Sequence, residues 1–100
     1  MSYVLRNDLG TVEAVIDDNC GISKFYAIAE TLSTELNVHF LNKQDKADCL
    51  DWDFHYKDKS LTLRYNVFTG VSLFPKHVKS IVQENNVVQE IAIFLERMAY

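Results

Sequence analysis

The chain has 100 residues and a mass of 11.6 kDa, which fits one compact domain, residues 1–100. Hydrophobic residues make up 48% of the sequence, with three Gly and one Pro, so a core can form and a disordered or collagen-like chain is excluded. Ten Lys and Arg against fourteen Asp and Glu give a net charge of −4, and the Lys residues are scattered. Because nucleic acids and anionic membranes attract a basic stripe, we expect neither as a partner.

The compartment can be inferred from the N-terminal segment and the cysteines. Charged residues such as Arg6 and Asp8 interrupt the first apolar stretch, and no segment approaches the roughly 20 apolar residues of a membrane helix. Cys20 and Cys49 match no zinc-ligand spacing. We therefore expect a cytoplasmic protein with free thiols, and a single bridge between them is the less favoured alternative.

The first part of the chain predicts a hairpin followed by a helix. Residues 3–6 form a short apolar run, 7–10 supply turn chemistry, and 11–17 alternate as in a strand. Over 22–36 the apolar residues recur every three or four positions, which places them on one face of a helix. Asn37 suits the left-handed conformation that ends a helix.

Strict alternation over residues 49–56 is the strongest secondary-structure signal in the chain. It is preceded by a predicted short strand at 38–41 and a predicted polar loop at 42–48. The alternation has the two-residue period of a strand with one buried face. We expect the face that carries Trp52 to be buried and the opposite face to be exposed. The exposed positions would be Cys49, Asp51, Asp53 and His55.

Two further strands are predicted after this segment. Residues 57–60 are interpreted as a four-residue turn, and 61–66 and 71–74 alternate as strands. With a four-residue turn, Asp53 would lie opposite Arg64 on the neighbouring strand. Strands joined by such short turns indicate an antiparallel meander.

The end of the chain predicts one or two helices. Pro75 is favoured in a first helical turn, so 76–84 is predicted as a short helix, with a strand as the open alternative. Asn86 followed by Gln89 resembles a capping box, and apolar residues then line one face of a helix over 87–98. The predicted fold is α+β, a two-layer sandwich. Its mostly antiparallel sheet has five to six strands, with two helices, or three if the last is split, on one face.

The polar face of the 49–56 strand carries the residue types that could perform chemistry. Thiol, carboxylate and imidazole are all metal ligands, but alternate residues of a strand lie about 6.6 to 6.8 Å apart and a row of them cannot close a tetrahedron. Cys49 and His55 are about 20 Å apart along the strand, too far to act as nucleophile and base. The chain also has no Gly-rich phosphate loop. We expect no enzyme activity, no metal and no cofactor.

Two aromatic residues suggest a protein-binding surface. Phe68 and Phe74 fall outside the inward-facing positions of their strands, so core packing explains them less well than Trp52 or Phe54. Exposed aromatic side chains commonly anchor protein interfaces. We therefore expect a protein partner.

Small size, acidity, a compact α+β layout and the lack of a catalytic set together resemble small bacterial immunity proteins. Those proteins are cytoplasmic antidotes that cover the basic surface of a toxin. The resemblance implies a non-catalytic inhibitor whose aspartates mimic phosphate charge and speed the encounter. No residue role is carried over from any member. The candidate partner-binding residues are Asp45, Asp48, Asp51, Asp53, His55, Asp58, Phe68 and Phe74.

Two other functional classes stay open. One is a self-associating structural or regulatory domain, in which a sheet edge or the aromatic residues pair with a second copy. The other is a small-ligand-binding or enzymatic domain, which a deep pocket holding His55 or Cys20 would favour. A native mass measurement separates the first class from a monomer that binds another protein.

Overall fold

A computed structural model of the chain describes residues 3–6, 12–18, 20–76 and 81–97. Within these residues the chain forms six strands and two helices in the order ββαββββα, so the predicted α+β fold is confirmed. The strands are β1 (Tyr3–Arg6), β2 (Val12–Asp17), β3 (Phe40–Asp45), β4 (Cys49–Tyr56), β5 (Lys59–Asn66) and β6 (Gly70–Pro75). The helices are α1 (Ile22–Glu35) and α2 (Ile81–Glu96).

The described strands form one antiparallel sheet with the order β1-β2-β6-β5-β4-β3. The last four strands along the chain are the predicted meander, since each pairs with the next. The N-terminal pair β1–β2 joins this meander through β6. The residues predicted as the turn between β1 and β2, 7–10, lie outside the described residues.

Both helices pack on one face of the sheet and bury a single hydrophobic core. Residues of alternate parity on the central strands meet the inner faces of the helices in this core. Leu63 on β5 and Leu73 on β6 are completely buried at its centre. On β4, Leu50 and Phe54 are buried and Trp52 is half-buried, so the predicted inward face of this strand is confirmed. We call the opposite side the helix-free face.

The end of α1 follows its sequence signal. Asn37 has a φ of 57°, the left-handed conformation that was predicted for it. The next residue, Val38, donates a backbone hydrogen bond of 3.3 Å to the carbonyl of Leu32 and is itself buried. The chain is thereby turned back toward the sheet at the start of β3.

The turn between β4 and β5 is shorter than predicted, and the predicted register is wrong. Lys57 and Asp58 have φ values of 51° and 62°, which is typical of a two-residue type I′ hairpin turn. Arg64 consequently lies opposite Asp51, not Asp53, and Asp53 lies opposite Thr62. The shift is two residues, so every side chain keeps its predicted face and only the pairs change.

The predicted polar loop at 42–48 is also wrong, because β3 continues through Asp45. β3 is the edge strand next to β4, and the side chains of residues 41–45 are all exposed. A strand with so little contact on either face needs few apolar residues. Its sequence therefore looks like a loop, and only residues 46–48 connect it to β4.

The described residues of the C-terminal part form one continuous helix. Pro75 ends β6, and α2 runs without a break through Asn86, so the predicted capping box is wrong. The preceding residue explains why polar side chains occur in mid-helix: Asn85 is buried, and its Oδ1 accepts a 2.9 Å hydrogen bond from the backbone N–H of Val12. Of the short helix predicted at 76–84, residues 81–84 belong to α2 and 77–80 lie outside the described residues.

Candidate functional site

The predicted partner-binding residues lie at three separate places on the fold. β4 spans roughly 24 Å from its first to its last residue, so its two ends cannot contribute to one small site. The first group, at the start of β4, is Asp45, Asp48 and Phe68. The second, at the middle of the helix-free face, is Asp51, Asp53 and Phe74. The third, at the far end, is His55 and Asp58.

Asp51 forms an ion pair with Arg64 on the helix-free face. Arg64 donates two hydrogen bonds to the carboxylate, Nε to Oδ1 at 2.7 Å and Nη2 to Oδ2 at 3.2 Å. Its guanidinium also lies 4.7 Å from the centre of the Phe74 ring, so this aromatic side chain is partly covered. The hydrogen bonds from Arg64 hold the pKa of Asp51 below its ordinary value, although burial opposes the shift.

Asp53 is held by Thr62 on the neighbouring strand β5 and by Lys76, the residue after β6. Thr62 Oγ1 donates a 2.7 Å hydrogen bond to Oδ1, and Lys76 donates to Oδ2. Burial raises the pKa of Asp53, but the hydrogen bonds from Lys76 and Thr62 outweigh it and the pKa lies below its ordinary value. Because these partners cover them, the side chains of Asp51 and Asp53 are only 19% and 13% exposed, so the expected solvated face is wrong at these two positions.

These contacts change what the middle of the helix-free face offers to a partner. Asp51 and Asp53 are each matched by a cation, Arg64 and Lys76. Any partner that used the two carboxylates would have to compete with these cations. The negative charge displayed here is therefore much smaller than the sequence suggests.

Asp51→Asn should lower the free energy of unfolding by about 1 kcal/mol at neutral pH, because it removes a charge-assisted hydrogen-bonded pair at a partly exposed site. The folded-state pKa of Asp51 is depressed, so its ionised form stabilises the fold above the unfolded-state pKa. This stabilisation is lost as the pH falls through the folded-state pKa. Urea denaturation at pH 7 and at about pH 3 should therefore show the difference between the two proteins shrinking in acid.

The control for this experiment is Asp58→Asn in the exposed β4–β5 turn. Asn accepts the left-handed conformation of that position, so the change should stay within about 0.5 kcal/mol at either pH. Equal destabilisation by Asp51→Asn at both pH values would contradict the stabilising role of the ion pair.

His55 lies at the far end of β4 and contacts a hydroxyl group. Ser60 Oγ and His55 Nδ1 are 3.1 Å apart on an exposed part of the helix-free face. Nucleophilic catalysis by such a pair needs a third group that orients the imidazole. The carboxylate two residues away, Asp53, is engaged by Thr62 and Lys76. The pair is thus better described as a cross-strand surface hydrogen bond.

The exposed apolar residues Ile22, Ala47, Val67 and Phe68 surround the start of β4, and we call them the Phe68 patch. Phe68 is 82% exposed, Val67 50% and Ile22 44%. The turn that carries Phe68 is held in place by three hydrogen bonds, one of them from Thr69 N–H to the carbonyl of Asn66 at 3.2 Å. Val67 N–H donates to the carbonyl of Asp48 at 3.2 Å, and Phe68 N–H donates to Asn66 Oδ1 at 2.8 Å.

A groove of about 210 Å³ is lined by Val67, the residue directly before Phe68. Ile22 and Val67 line it together with Leu50 and Tyr65, whose side chains also belong to the core. Residues 46–48, at the β3–β4 turn, form a further wall. An exposed aromatic residue next to an apolar groove is the arrangement in which protein interfaces place their anchoring side chains.

Asp45 lies at the rim of the sheet near this groove. Its Oδ1 accepts a 2.9 Å hydrogen bond from Trp52 Nε1, and Lys43 lies 4.5 Å from the centre of the same indole ring. Phe25 and Phe40 contact that ring edge-on from α1 and β3. Trp52 is thereby fixed by polar contacts on the strand edge and by aromatic packing on the helix side.

The two cysteines are both partly buried. Cys20 and Cys49 are free thiols, as expected, and burial raises the pKa of each above its ordinary value. Such a shift keeps a thiol protonated and unreactive.

Among the described residues no group of three or more His, Cys, Asp or Glu could hold a metal ion. Neither of the described helices is long and apolar enough to cross a membrane.

Comparison with known proteins gives a family and no function. No curated protein and no solved structure matches the chain. One family model matches residues 4–91, which covers every described strand after the start of β1 and most of α2. The chain belongs to the family described as protein of unknown function (DUF3630).

Proposed function

We propose that this domain is a non-catalytic protein-binding domain and that its docking surface is the Phe68 patch. The observation that carries the proposal is the 82% exposure of Phe68, next in the chain to Val67, which lines an apolar groove. An aromatic side chain held out by a fixed turn loses little conformational freedom on binding, because few rotatable bonds have to be ordered. It therefore offers a large apolar contact area at low entropic cost.

The charges support a basic partner. The chain carries a net charge of −4, and the exposed Asp48 lines the groove together with Lys46. Asp48 precedes the start of β4, and the backbone of Asp18 lies against Gly70 at the start of β6. These carboxylates would steer a positively charged protein toward the patch, while the apolar groove would provide most of the affinity.

The resemblance to immunity proteins makes a toxin in the cytoplasm the more specific form of this proposal. Neutralisation would follow if the basic surface of the toxin that meets the Phe68 patch were also its working surface. Asp51 and Asp53 have no primary role in this form, because Arg64 and Lys76 already match their charges. Asp48 is the carboxylate expected to contribute most to the encounter.

Photo-crosslinking in the producing cells tests the docking surface directly. Phe68 is replaced by benzoylphenylalanine, and the matched control carries the same group in place of Ile93, which is 51% exposed on α2. We expect the probe at position 68 to give a discrete adduct with a basic protein identified by mass spectrometry. The probe at position 93 should give none of that adduct.

Binding measurements with the purified adduct partner then test the energetics. Phe68→Ala should weaken the complex at least about 30-fold, as for an anchoring aromatic residue, whereas Ile93→Ala should change affinity less than about twofold. Asp48→Asn should slow association and reduce its salt dependence. Equal crosslinking from both positions, or an unchanged affinity of Phe68→Ala, would overturn the proposal.

A further inference from the structure

Among the described residues, no strand pairs with the outer edge of β3. β3 ends the sheet order and pairs with β4 on one side only. Its side chains from residue 41 to residue 45 are exposed, and neither described helix covers the strand. Such an edge presents unpaired backbone N–H and C=O groups that can extend the sheet.

The hydrogen bond that closes the β3–β4 hairpin shows which backbone groups face outward. The N–H of Lys46 donates to the carbonyl of Cys49 at 2.8 Å, so these two residues form a hydrogen-bonded pair. Hydrogen-bonded and non-hydrogen-bonded pairs alternate along an antiparallel ladder. Gln44 and Asn42 therefore also direct their backbone groups toward β4, and Lys43 and Asp45 direct theirs outward.

We infer that two copies of this chain associate by antiparallel pairing of their β3 strands, with Gln44 of each copy at the two-fold axis. In this register Lys43 of one copy lies opposite Asp45 of the second copy, and the reverse pair forms on the other side of the axis. Both pairs are hydrogen-bonded through the outward-facing backbone groups. The six described strands of each copy then form one continuous sheet.

Charge selects this register from the others that the backbone pattern allows. A slip that places the axis at Lys43 brings two lysines together, and a slip to Asp45 brings two aspartates together. With the axis at Gln44, each Lys43 faces an opposite charge on the same side of the sheet. A lysine on an edge strand normally disfavours pairing with another strand. Here the charge of Lys43 favours pairing with a second copy of this chain, because it faces Asp45 of that copy.

The interface is small, which predicts a reversible dimer. The ladder between β3 and β4 is irregular between Phe40 and Asn42, so regular edge geometry is limited to the following residues. A contact of a few residue pairs falls in the size range of transient interfaces. The Phe68 patch adjoins the end of β3 at Ala47, but its anchor Phe68 lies outside the paired strand, so dimer formation does not depend on the proposed function.

Analytical ultracentrifugation of charge variants tests the inference. For the natural sequence, the weight-average mass should rise above 11.6 kDa as concentration increases from about 10 μM to about 1 mM. Lys43→Asp and Asp45→Lys should each weaken association at least about tenfold, because like charges then face each other. The double swap should restore it. The matched control is the double swap of the intramolecular pair Lys57 and Glu90, which should leave association unchanged.

A disulfide trap checks the register independently of charge. In a background where both native cysteines are replaced by Ser, Gln44→Cys should form a covalent dimer under mild oxidation. The two residues would face each other in a non-hydrogen-bonded pair about 4.5 Å apart between Cα atoms. Asn42→Cys should not, since the two residues would be about 14 Å apart. Circular dichroism of every variant shows whether the fold is retained.

Three results would overturn the inference. They are a constant monomer mass across the concentration range, failure of the folded double swap to restore association, and equal crosslinking by Gln44→Cys and Asn42→Cys. If the protein stays monomeric and the β3 variants lose binding to the crosslinked partner protein, the edge of β3 belongs to the interface with that partner instead.

Discussion

Leu63→Ala should lower the free energy of unfolding by about 2 to 5 kcal/mol, as truncations of fully buried leucines do. Leu63 is completely buried on the central strand β5, with β4 and β6 on either side. Truncation leaves a cavity under both helices, and the paired backbone around it cannot close in. Since domains of this size are stabilised by about 5 to 15 kcal/mol in total, the variant would lose a large part of its stability.

Thermal and urea denaturation measure this effect. The expected loss corresponds to a melting temperature lower by about 10 °C or more. Leu41→Ala is the matched control, because Leu41 is 57% exposed on the edge strand and its truncation should cost less than about 0.5 kcal/mol. Similar losses for both variants would show that Leu63 is not at the centre of the core.

Gly70→Ala should cost about 3 kcal/mol or more, although only one methyl group is added. Gly70 has a φ of 80°, a conformation that L side chains rarely adopt. An added Cβ would lie 1.9 Å from the carbonyl oxygen of Asp17 and 2.9 Å from the Cα of Asp18. Because these are backbone atoms, either β2 or β6 would have to shift at the point where they meet.

The matched control is Gly21→Ala, at the residue before α1. An added Cβ at Gly21 meets nothing within 4 Å, and the φ of −89° suits any residue. The loss there should be about 1 kcal/mol or less, because Ala is only a poorer N-cap than Gly. Urea midpoints of the two variants that differ by less than the experimental error would contradict the close approach of β6 to β2.

The elements with a strong hydrophobic period were predictable from the sequence. The alternation in β4 and the repeat in α1 each follow from burying one face, and both were located within a residue or two. The β4–β5 register was not predictable from the turn. Lys57 and Asp58 both adopt positive φ, whereas the sequence signature of such a turn is Asn or Asp followed by Gly.

The errors at β3 and α2 share a cause, because contacts with other elements outweighed the local signal. β3 is polar and exposed, and it is a strand only because β4 supplies a partner for its backbone. In α2, Asn86 resembles an N-cap, but the helix continues through it, and the neighbouring Asn85 bonds a backbone group of β2. Local propensity and periodicity contain no information about either contact.

The sequence predicted the exposed residue Phe68 of the candidate site, but it did not predict the groove or the cations on the helix-free face. Phe68 stood out because it falls outside the inward-facing positions of its strand, and its side chain is exposed. The groove is formed by Ile22, residues 46–48 and Val67, which lie far apart in sequence. Conversely, the sequence overstated the acidic face, because the cations that match Asp51 and Asp53 come from other strands.

The sheet order has a consequence for how the chain folds. Each hairpin of the β3–β6 meander joins neighbouring segments, so its closure costs little chain entropy. β2 must instead find β6, with Val15 opposite Ser72, across more than half of the chain. On the ribosome β1 and β2 emerge before the other described strands, yet their neighbour β6 is made after all of those strands. A two-stranded hairpin alone is marginally stable, so β1 and β2 become stable only when β6 arrives and the backbone of Gly70 settles against Asp17.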